Sequence, residues 1–352
     1  MHFSSQRAAA FAGLAALGLA ALAPSAAQAQ DLFVTNSGSS NILRFANTGL
    51  GTFSATATIV SDPSSTLNAP AGLAFDAQGD LFAANFNSNT ITEFAAGLTS
   101  GSLKPGVIVA ASKTGLNGPV GLAVDAKGNL FTINGNGGTI TEFAALGGGL
   151  FGPAQSIGSG LHNPQGLAFD AQGDLFATNL TGGSITEFAA QAGGTFAGGT
   201  TVASGLTYPD GLALDAVGNL FASNYLAGTV TKFAFTPGTN GATGTFRAGT
   251  LYATGLSKAE GLAFDAQGDL FAASNGATGA NPGNSITKFA VGAAPGGTGT
   301  VVETGLNSPS FLAFGPIAPP AVPEASTTVS LGLLLALGMG GLVMAARKKR
   351  AA

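Results

Sequence analysis

The chain contains no cysteine and no tryptophan, and only 9% of its 352 residues are charged. Without cysteine there is no disulfide framework and no thiol chemistry, so packing alone must stabilise an exported form of this protein. Histidine is also scarce, and His162 is the only one beyond the N-terminal segment. It stands in a turn sequence, so we expect an exposed side chain and no Ser-His-Asp arrangement.

Basic residues are few in the body of the chain, between the two terminal segments. The net charge is −4, but five of the 13 Lys and Arg residues lie near the ends of the chain, at Arg7 and in the cluster 347–350. The eight that remain face 17 acidic residues. A body this acidic, with no basic stripe, argues against nucleic acid as a partner.

Glycine is abundant, with 55 residues placed between short apolar runs. One run, Gly-Leu-Ala-Phe-Asp-Ala-Gln-Gly-Asp-Leu-Phe, recurs with small changes about every 45 to 50 residues, a period typical of propellers and other repeat arrays. The repeats start at Gly72, Gly121, Gly166, Gly211, Gly261 and Phe311.

Each repeat predicts four short strands separated by turn signals. The first two are joined by Asp-Ala-Gln-Gly, which suits a type I turn. The body begins at Asp31 in the middle of a repeat, and residues 311–314 are a first strand with nothing after it. Pairing these two ends would remove both open edges of the array. The sequence therefore predicts an all-β, six-bladed β-propeller over residues 30–315.

The repeat resembles the NHL repeat, which joins a Gly-Ile-Ala-Val-Asp segment to a Gly-Asn-Ile-Tyr strand and a later Ile-x-x-Phe. The resemblance covers about residues 31–315 and implies the propeller fold, but it implies no activity. One departure is the residue that ends the second strand, which is Asn here, as at Asn85, where the NHL pattern has Asp.

The sequences of the two termini predict that the protein is located outside the cytoplasm. Residues 1–29 have the pattern of a secretory signal peptide, with Arg7, an apolar run and a small-x-small cleavage pattern at Ala27-Gln28-Ala29. A Pro-rich linker over 316–326 leads to residues 327–346, an uncharged run long enough for a transmembrane helix. Residues 347–352 would form a basic cytoplasmic tail.

This C-terminal region resembles the PEP-CTERM sorting signal of Gram-negative bacteria. The resemblance rests on Val322, Pro323, Glu324, Arg347, Lys348, Lys349 and Arg350. It implies cleavage by an exosortase, attachment to the membrane until then, and delivery to the cell envelope, cell surface or extracellular matrix. Exopolysaccharide or another surface protein is the partner that this implies. A plain C-terminal membrane anchor is the alternative, and both place the propeller outside the cytoplasm.

Candidate ligand-binding residues lie just before the repeated Gly. Because the first two strands of a blade are antiparallel, this position and the end of the second strand share one face around the central channel. We call these six positions the slot residues: Ala71, Val120, Gln165, Asp210, Glu260 and Ser310. Asp210 and Glu260 are acids on adjacent blades with Gln165 beside them. Oxygen donors converging at a channel mouth suit a hard cation such as Ca²⁺ or Mg²⁺.

The segment Tyr208-Pro209-Asp210-Gly211 is similar to a Pro-Asp-Gly metal-ligand segment of the gluconolactonase/senescence-marker-protein family, another group of six-bladed propellers. In that family the ion activates lactone hydrolysis, so the resemblance implies Asp210, with Glu260, as ligands of a hydrolytic metal. The family's glutamate in the first blade has no clear match here. Its Pro-Asn-Gly asparagine has only Gln165 in its place.

The Asn residues that end the second strands, Asn134, Asn179 and Asn224, form a ring of amides on the same face. Ligand binding and turn formation are both open to them, and their recurrence favours turn formation. Glu93 and its equivalents Glu142 and Glu187 recur in the third strand and give way to lysine in later repeats. We therefore expect solvated blade surface there rather than acid–base catalysis.

The fifth repeat carries an insertion at 275–284 on the face of the acids, where loops commonly serve recognition, although it has no aromatic or charged residue. The preferred function is a non-catalytic surface or matrix module that binds a glycan or a protein. The alternative is a metal-dependent hydrolase of the lactonase type, which needs a third ligand and a general base beside Asp210 and Glu260. A structural envelope role without a ligand is the third possibility.

Overall fold

The repeats fold into antiparallel four-stranded sheets arranged in a ring, which confirms the predicted six-bladed propeller. The structure is a computed structural model that describes residues 30–49, 52–60, 66–97, 103–111, 115–238, 244–276 and 283–315. The predicted signal peptide, linker, sorting motif, transmembrane helix and basic tail lie outside these residues. Within the described ranges, no helix is long and apolar enough to cross a membrane.

The inner strands carry the Gly-Leu-Ala segments and pack against one another around the ring. They are β6 (Pro70–Phe75), β10 (Pro119–Val124), β14 (Pro164–Phe169), β18 (Pro209–Leu214), β24 (Ala259–Phe264) and β29 (Pro309–Phe314). We number the blades 1 to 6 in this order. The second strands are β7 (Leu81–Asn85), β11 (Leu130–Asn134), β15 (Leu175–Asn179), β19 (Leu220–Asn224), β25 (Leu270–Ser274) and, in blade 6, β1 (Leu32–Asn36).

The two outer strands of each blade complete the sheets. The third strands are β8 (Thr90–Phe94), β12 (Thr139–Gly147), β16 (Ser184–Phe188), β20 (Thr229–Phe233), β26 (Ser285–Phe289) and, in blade 6, β2 (Asn41–Phe45). The fourth strands are β9 (Val107–Ala110), β13 (Leu150–Gly158), β17 (Thr200–Ser204), β23 (Thr250–Thr254), β28 (Thr300–Glu303) and, in blade 6, β5 (Thr58–Ile59). The short elements are β3 (Asn47–Gly49), β4 (Thr52–Phe53), β21 (Phe235–Thr236), β22 (Thr245–Phe246), β27 (Gly297–Thr298) and a 3₁₀ turn at Ser37–Ser39.

Blade 6 is built from both ends of the described chain. Its sheet has the order β29-β1-β2-β5, with Leu32 opposite Phe314 and Val34 opposite Leu312. Leu32 and Val34 are fully buried. The pairing gives β1 a hydrogen-bonded neighbour on both sides and makes β29 the inner strand of blade 6, which is the closure that the split repeat predicts.

The core is divided among the six spaces between adjacent blades, which we call seams. Each seam holds one cluster of buried side chains drawn from both neighbouring blades. In the seam between blades 4 and 5, for example, Phe221 of one blade packs with Leu262 and Leu270 of the next. Both faces of a blade are therefore buried, which explains the continuous apolar runs in the second strands.

The repeated Gly is required by the close approach of the inner strands. A Cβ on Gly166 would lie against the carbonyl oxygen of Asp210, and a Cβ on Gly211 against that of Glu260. Blade 6 has Phe311 at this position, and its side chain lines the channel mouth. The missing side chains thus bring neighbouring slot residues close together.

Candidate functional site

The slot residues surround one cavity at the mouth of the channel. Its volume is about 260 Å³. All six slot residues line it, together with Ser37, Ala69, Phe86 and Phe311. The structure therefore brings Gln165, Asp210 and Glu260 to one place, on three consecutive blades.

Hydroxyl groups fix the backbone beneath the two acids. The Ser223 hydroxyl donates to the Glu260 carbonyl oxygen at 2.6 Å and accepts from the Gly211 N–H at 2.8 Å. The Thr178 hydroxyl donates to the Asp210 carbonyl oxygen at 2.8 Å in the same way. Blades 1, 2 and 5 carry Ala84, Ile133 and Ala273 at this position, and among the described residues Thr35 of blade 6 bonds only to the backbone of Phe311 in its own blade. The hydroxyl bridges to a neighbouring slot carbonyl therefore occur where that slot holds an acid.

Asp210 is a buried carboxylic acid that faces the cavity. Only 8% of the residue is exposed. Among the described residues its carboxyl oxygens have no hydrogen-bond donor, since the bond to Thr178 involves the backbone carbonyl. Burial raises the pKa of Asp210 well above its usual value, and the nearby charge of Glu260 raises it further.

Glu260 is equally buried but is held by protein partners. Its Oε1 accepts from Asn275 Nδ2 at 2.7 Å. Burial raises the pKa of Glu260 from 4.5 to about 7, against the opposing effects of hydrogen bonds from Asn275 and Ser310 and the charge of Lys258. Near neutral pH Glu260 is therefore present in both its protonated and its carboxylate form, and its carboxylate is the better stabilised of the two acids.

Gln165 offers its side-chain carbonyl oxygen as a further acceptor or cation ligand. Its Nε2 donates to Asn163 Oδ1 at 3.0 Å, which leaves Oε1 available on the half-buried side chain. Asn275, by contrast, was not among the residues predicted from the sequence. It is the first residue of the blade 5 insertion, so the position of that loop was the available signal; residues 277–282 lie outside the described part of the chain.

The amide ring holds loops together. Asn134, Asn179 and Asn224 are buried and are not among the residues that line the cavity. In each, Oδ1 accepts a backbone N–H from the loop entering the blade, and Nδ2 donates to two hydroxyl groups on the third strand. For Asn224 these partners are Thr207 at 3.0 Å, Thr229 at 3.2 Å and Thr231 at 2.9 Å. Their hydrogen-bonding groups are therefore engaged with the protein.

The rim of the cavity is unevenly populated. Tyr208 and Lys258 stand two residues before Asp210 and Glu260, both in the left-handed region with φ of 54° and 48°. Tyr208 is 43% exposed, and Lys258 Nζ lies 5.9 Å from the ring centre of Tyr225. Blades 1 and 2 carry only Ala69 and Gly118 at this position. At the position two residues before the slot, the aromatic and the charged side chain thus stand on the two blades that hold the acids.

One expectation about the third strands was wrong. Glu93 was predicted to lie on solvated blade surface, but only 8% of it is exposed, and burial together with the charge of Asp80 raises its pKa. Glu142 and Glu187 are partly exposed. The strand pattern did not show that Glu93 packs beneath the neighbouring blade's loop, where a Cβ on Gly149 would lie 3.4 Å from its Oε1. His162 is exposed, as predicted.

Comparison with known proteins gives fold similarity only. No protein-family model matches the chain, and no curated protein matches it. A solved structure described as a candidate 6-phosphogluconolactonase from Bacteroides uniformis is 18% identical with a TM-score of 0.55, over 82% of this chain and 83% of that one. A second, from Bacteroides fragilis, is 20% identical with a TM-score of 0.54, over 83% and 100%. A candidate gluconolactonase is 16% identical with a TM-score of 0.51, over 70% and 85%.

Proposed function

We propose that this propeller is a hydrolase of the lactonase type, with its site in the cavity at the channel mouth. The observation that carries the proposal is the pair of buried acids: Asp210 without a protein donor, beside Glu260 with a pKa of about 7. Perturbed carboxylic acids converging in a concave site are typical of catalytic centres. The proteins of similar fold that are described as lactonases support the same choice.

Glu260 has the properties of a general base. A base is most effective when its pKa lies near the working pH, and burial places Glu260 there. In lactone hydrolysis its carboxylate would take a proton from water as the water oxygen attacks the carbonyl carbon. The C–O bond of the ring then breaks, and the proton passes from Glu260 to the leaving oxygen, which gives the hydroxy acid. Asn275 and Ser310 orient the carboxylate for both steps.

Asp210 and Gln165 are suited to hold a hard divalent cation, to which Glu260 lies adjacent. A carboxylate without a protein donor and a free amide oxygen are ligand types that Ca²⁺ accepts. Within the described residues no group of three or more His, Cys, Asp or Glu side chains forms a metal site, so amide oxygens and water would complete the coordination. A bound cation would supply Lewis-acid polarisation of the lactone carbonyl.

Calorimetric titration with Ca²⁺ and a pH-stat assay with glucono-δ-lactone test these roles separately. Asp210→Asn should lose cation binding. Glu260→Gln should retain it, because Asp210 and Gln165 are unchanged, but should lower the hydrolysis rate by at least about a hundredfold, the typical contribution of a general base. Glu187→Gln, on the third strand of blade 3, is the control and should change neither. Absence of both cation binding and hydrolysis in the native chain would refute the proposal that the protein is a metal-dependent lactonase.

A second candidate is the non-catalytic binding module, with a glycan or protein ligand. It is favoured by the exposed Tyr208 and Lys258 and the half-buried Tyr225, because aromatic rings and a cation beside buried acids suit polar ligands with an apolar face. In this case exopolysaccharide from the producing cell should bind to the native chain and lose affinity on Tyr208→Ala, with no hydrolysis of the lactone. Unchanged binding by the Tyr208 variant would contradict it.

We also propose that the chain is exported and sorted at the cell envelope of a Gram-negative bacterium. This rests on the N-terminal pattern over residues 1–29 and the C-terminal pattern around Val322-Pro323-Glu324. Mass spectrometry of the mature protein should find an N-terminus near Gln30 and loss of the apolar segment 327–346 in cells that contain an exosortase. An intact C-terminus in such cells would favour the plain membrane anchor instead.

A further inference from the structure

The loop before the fourth strand carries one large apolar residue in five of the six blades. We call these the plug residues: Phe53, Leu103, Phe151, Phe196 and Phe246. In four of the blades the plug stands four residues before the strand-four residue that pairs with the position of Glu93 in strand three, as Phe196 does before Thr200 and Phe246 before Thr250. In blade 2 the longer fourth strand already includes the plug, Phe151. In blade 6 the spacing is one residue longer.

Each plug fills the outer part of a seam. The four phenylalanines meet the second-strand phenylalanine of the preceding blade edge to face, and the fifth plug, Leu103, packs in the cluster that contains Phe33. The ring-centre distances are 5.7 Å for Phe53–Phe271, Phe82–Phe151 and Phe131–Phe196, and 5.6 Å for Phe176–Phe246. This is the preferred geometry of aromatic pairs. The repeat thus shows that the outer part of a seam accommodates a phenyl ring.

Blade 5 lacks a plug. The position four residues before Thr300 is Gly296, with φ of 74°. Its N–H donates to the Tyr252 carbonyl oxygen at 2.9 Å, and the next two residues form β27, which pairs in parallel with β23 of blade 4. The segment that carries the plug elsewhere is therefore directed onto the outer edge of blade 4.

The seam between blades 4 and 5 is left open as a result. It contains a cavity of about 390 Å³ whose walls include the rings of Phe221, Phe264 and Tyr252. Tyr252 replaces the valine or isoleucine of other blades and meets Phe221 edge to face at 4.9 Å, so it covers part of that ring. Phe264 is half-buried and lines the cavity, and Phe221 lies beneath it with only 2% of its surface exposed. Their equivalents in blades 3 and 2, Phe169 and Phe131, both pack against the plug Phe196.

Polar groups stand at one side of this cavity. Lys232 Nζ lies 5.1 Å from the ring centre of Phe221 and 3.9 Å from Asp215 Oδ2. Asp215 belongs to the turn between the first and second strands, at the opposite end of the blade from Asp210. The cavity is therefore separate from the channel mouth and lies towards the other face of the ring.

We propose that this open seam is a binding site for a small molecule with a single phenyl-sized ring and one polar substituent. The ring takes the place that a phenylalanine plug occupies in four other seams, against the half-buried ring of Phe264. The substituent reaches Lys232, Asp215 or the Tyr252 hydroxyl. The proposal is independent of the function assigned to Asp210 and Glu260.

Benzyl alcohol is a suitable probe, and cyclohexylmethanol is its non-aromatic comparator. Saturation-transfer NMR with the native protein should show transfer to the aromatic ring of benzyl alcohol and at least several-fold less transfer to the cyclohexyl group. Replacing residues 290–299 by the sequence of residues 189–199 gives blade 5 the plug-bearing loop of blade 3. This graft should raise the melting temperature and reduce the transfer to background.

Two point variants keep the test decisive if the graft does not fold. Phe196→Ala removes a plug and should create a second binding site for benzyl alcohol against Phe131 and Phe169. Phe264→Leu keeps the seam apolar but removes the accessible ring, and it should weaken binding several-fold. No transfer to the native protein, equal transfer to both probes, or full binding by the folded graft would overturn the proposal.

Discussion

The buried acid Glu260 should make folding stability depend on pH in a predictable direction. Its pKa is 4.5 in an unfolded chain and about 7 in the folded protein, so the folded state holds the proton more tightly. The stability that this proton provides is complete below pH 4.5 and is lost as the pH rises through 7. The rise in pKa corresponds to about 3 kcal/mol of unfolding free energy, because each pH unit is worth about 1.4 kcal/mol.

Glu260→Gln removes this titration while keeping the size and the acceptor for Asn275. Unfolding free energies of the native and variant proteins should be measured by urea titration from pH 4 to pH 8.5, with a chelator present so that no cation stabilises the carboxylate. The variant should gain about 3 kcal/mol relative to the native protein between pH 4.5 and pH 8. This relative gain is expected whatever the two stabilities are at low pH.

A control carboxylate separates this effect from general titration. Burial also raises the pKa of Glu303, but its side chain is only partly buried, so solvent should reduce the effect. Glu303→Gln should therefore show a much smaller change over the same pH range. If the difference between native and Glu260→Gln proteins is flat from pH 4.5 to pH 8, then Glu260 is not a buried acid with a raised pKa and the proposed base is wrong.

Three further predictions concern the scaffold. Deletion of Pro309–Phe314 removes β29 and should expose the edge of β1, so it should lower the melting temperature by at least about 5 °C or cause aggregation. An unchanged thermal melt would contradict the predicted closure of the ring. Gly211→Ala should cost about 1–3 kcal/mol in urea unfolding because its Cβ would meet a backbone carbonyl, whereas Gly198→Ala, which faces open space, should cost little. Asn224→Ala should cost about 2–4 kcal/mol by leaving a backbone N–H and two hydroxyl groups unpaired, and the exposed Asn87→Ala should be nearly neutral, so equal losses would refute the role of the amide ring.

The sequence was sufficient to predict the architecture because the same strand and turn pattern recurs in each blade. The repeated Gly-Leu-Ala segment, the Asp-to-Gly turn and the apolar second strand encode one hairpin six times. The split repeat then predicts that β1 pairs with β29, and the register Leu32–Phe314 confirms it. The same antiparallel logic predicted that Asp210 and Glu260 share one face.

Side-chain contacts between blades could not be predicted from the sequence. The hydroxyl bridges from Thr178 and Ser223 join residues more than 30 positions apart, and no local pattern indicates them. The burial of Glu93 and the hydrogen bond from Asn275 to Glu260 also depend on how a neighbouring element lies over the strand. Each is a pairwise contact whose two members have no fixed spacing.

The sequence by itself determined the number of blades, their strand order, the closure of the ring and the placement of two acids at one end of the channel, because these follow from periodicity and from the alternating direction of the strands. Only the tertiary structure decided whether each acid is buried and which hydrogen-bond donor reaches it. It also decided which side chains fill each seam between blades. Burial and hydrogen bonding set the pKa of Glu260, and they arise from the packing of one blade against the next.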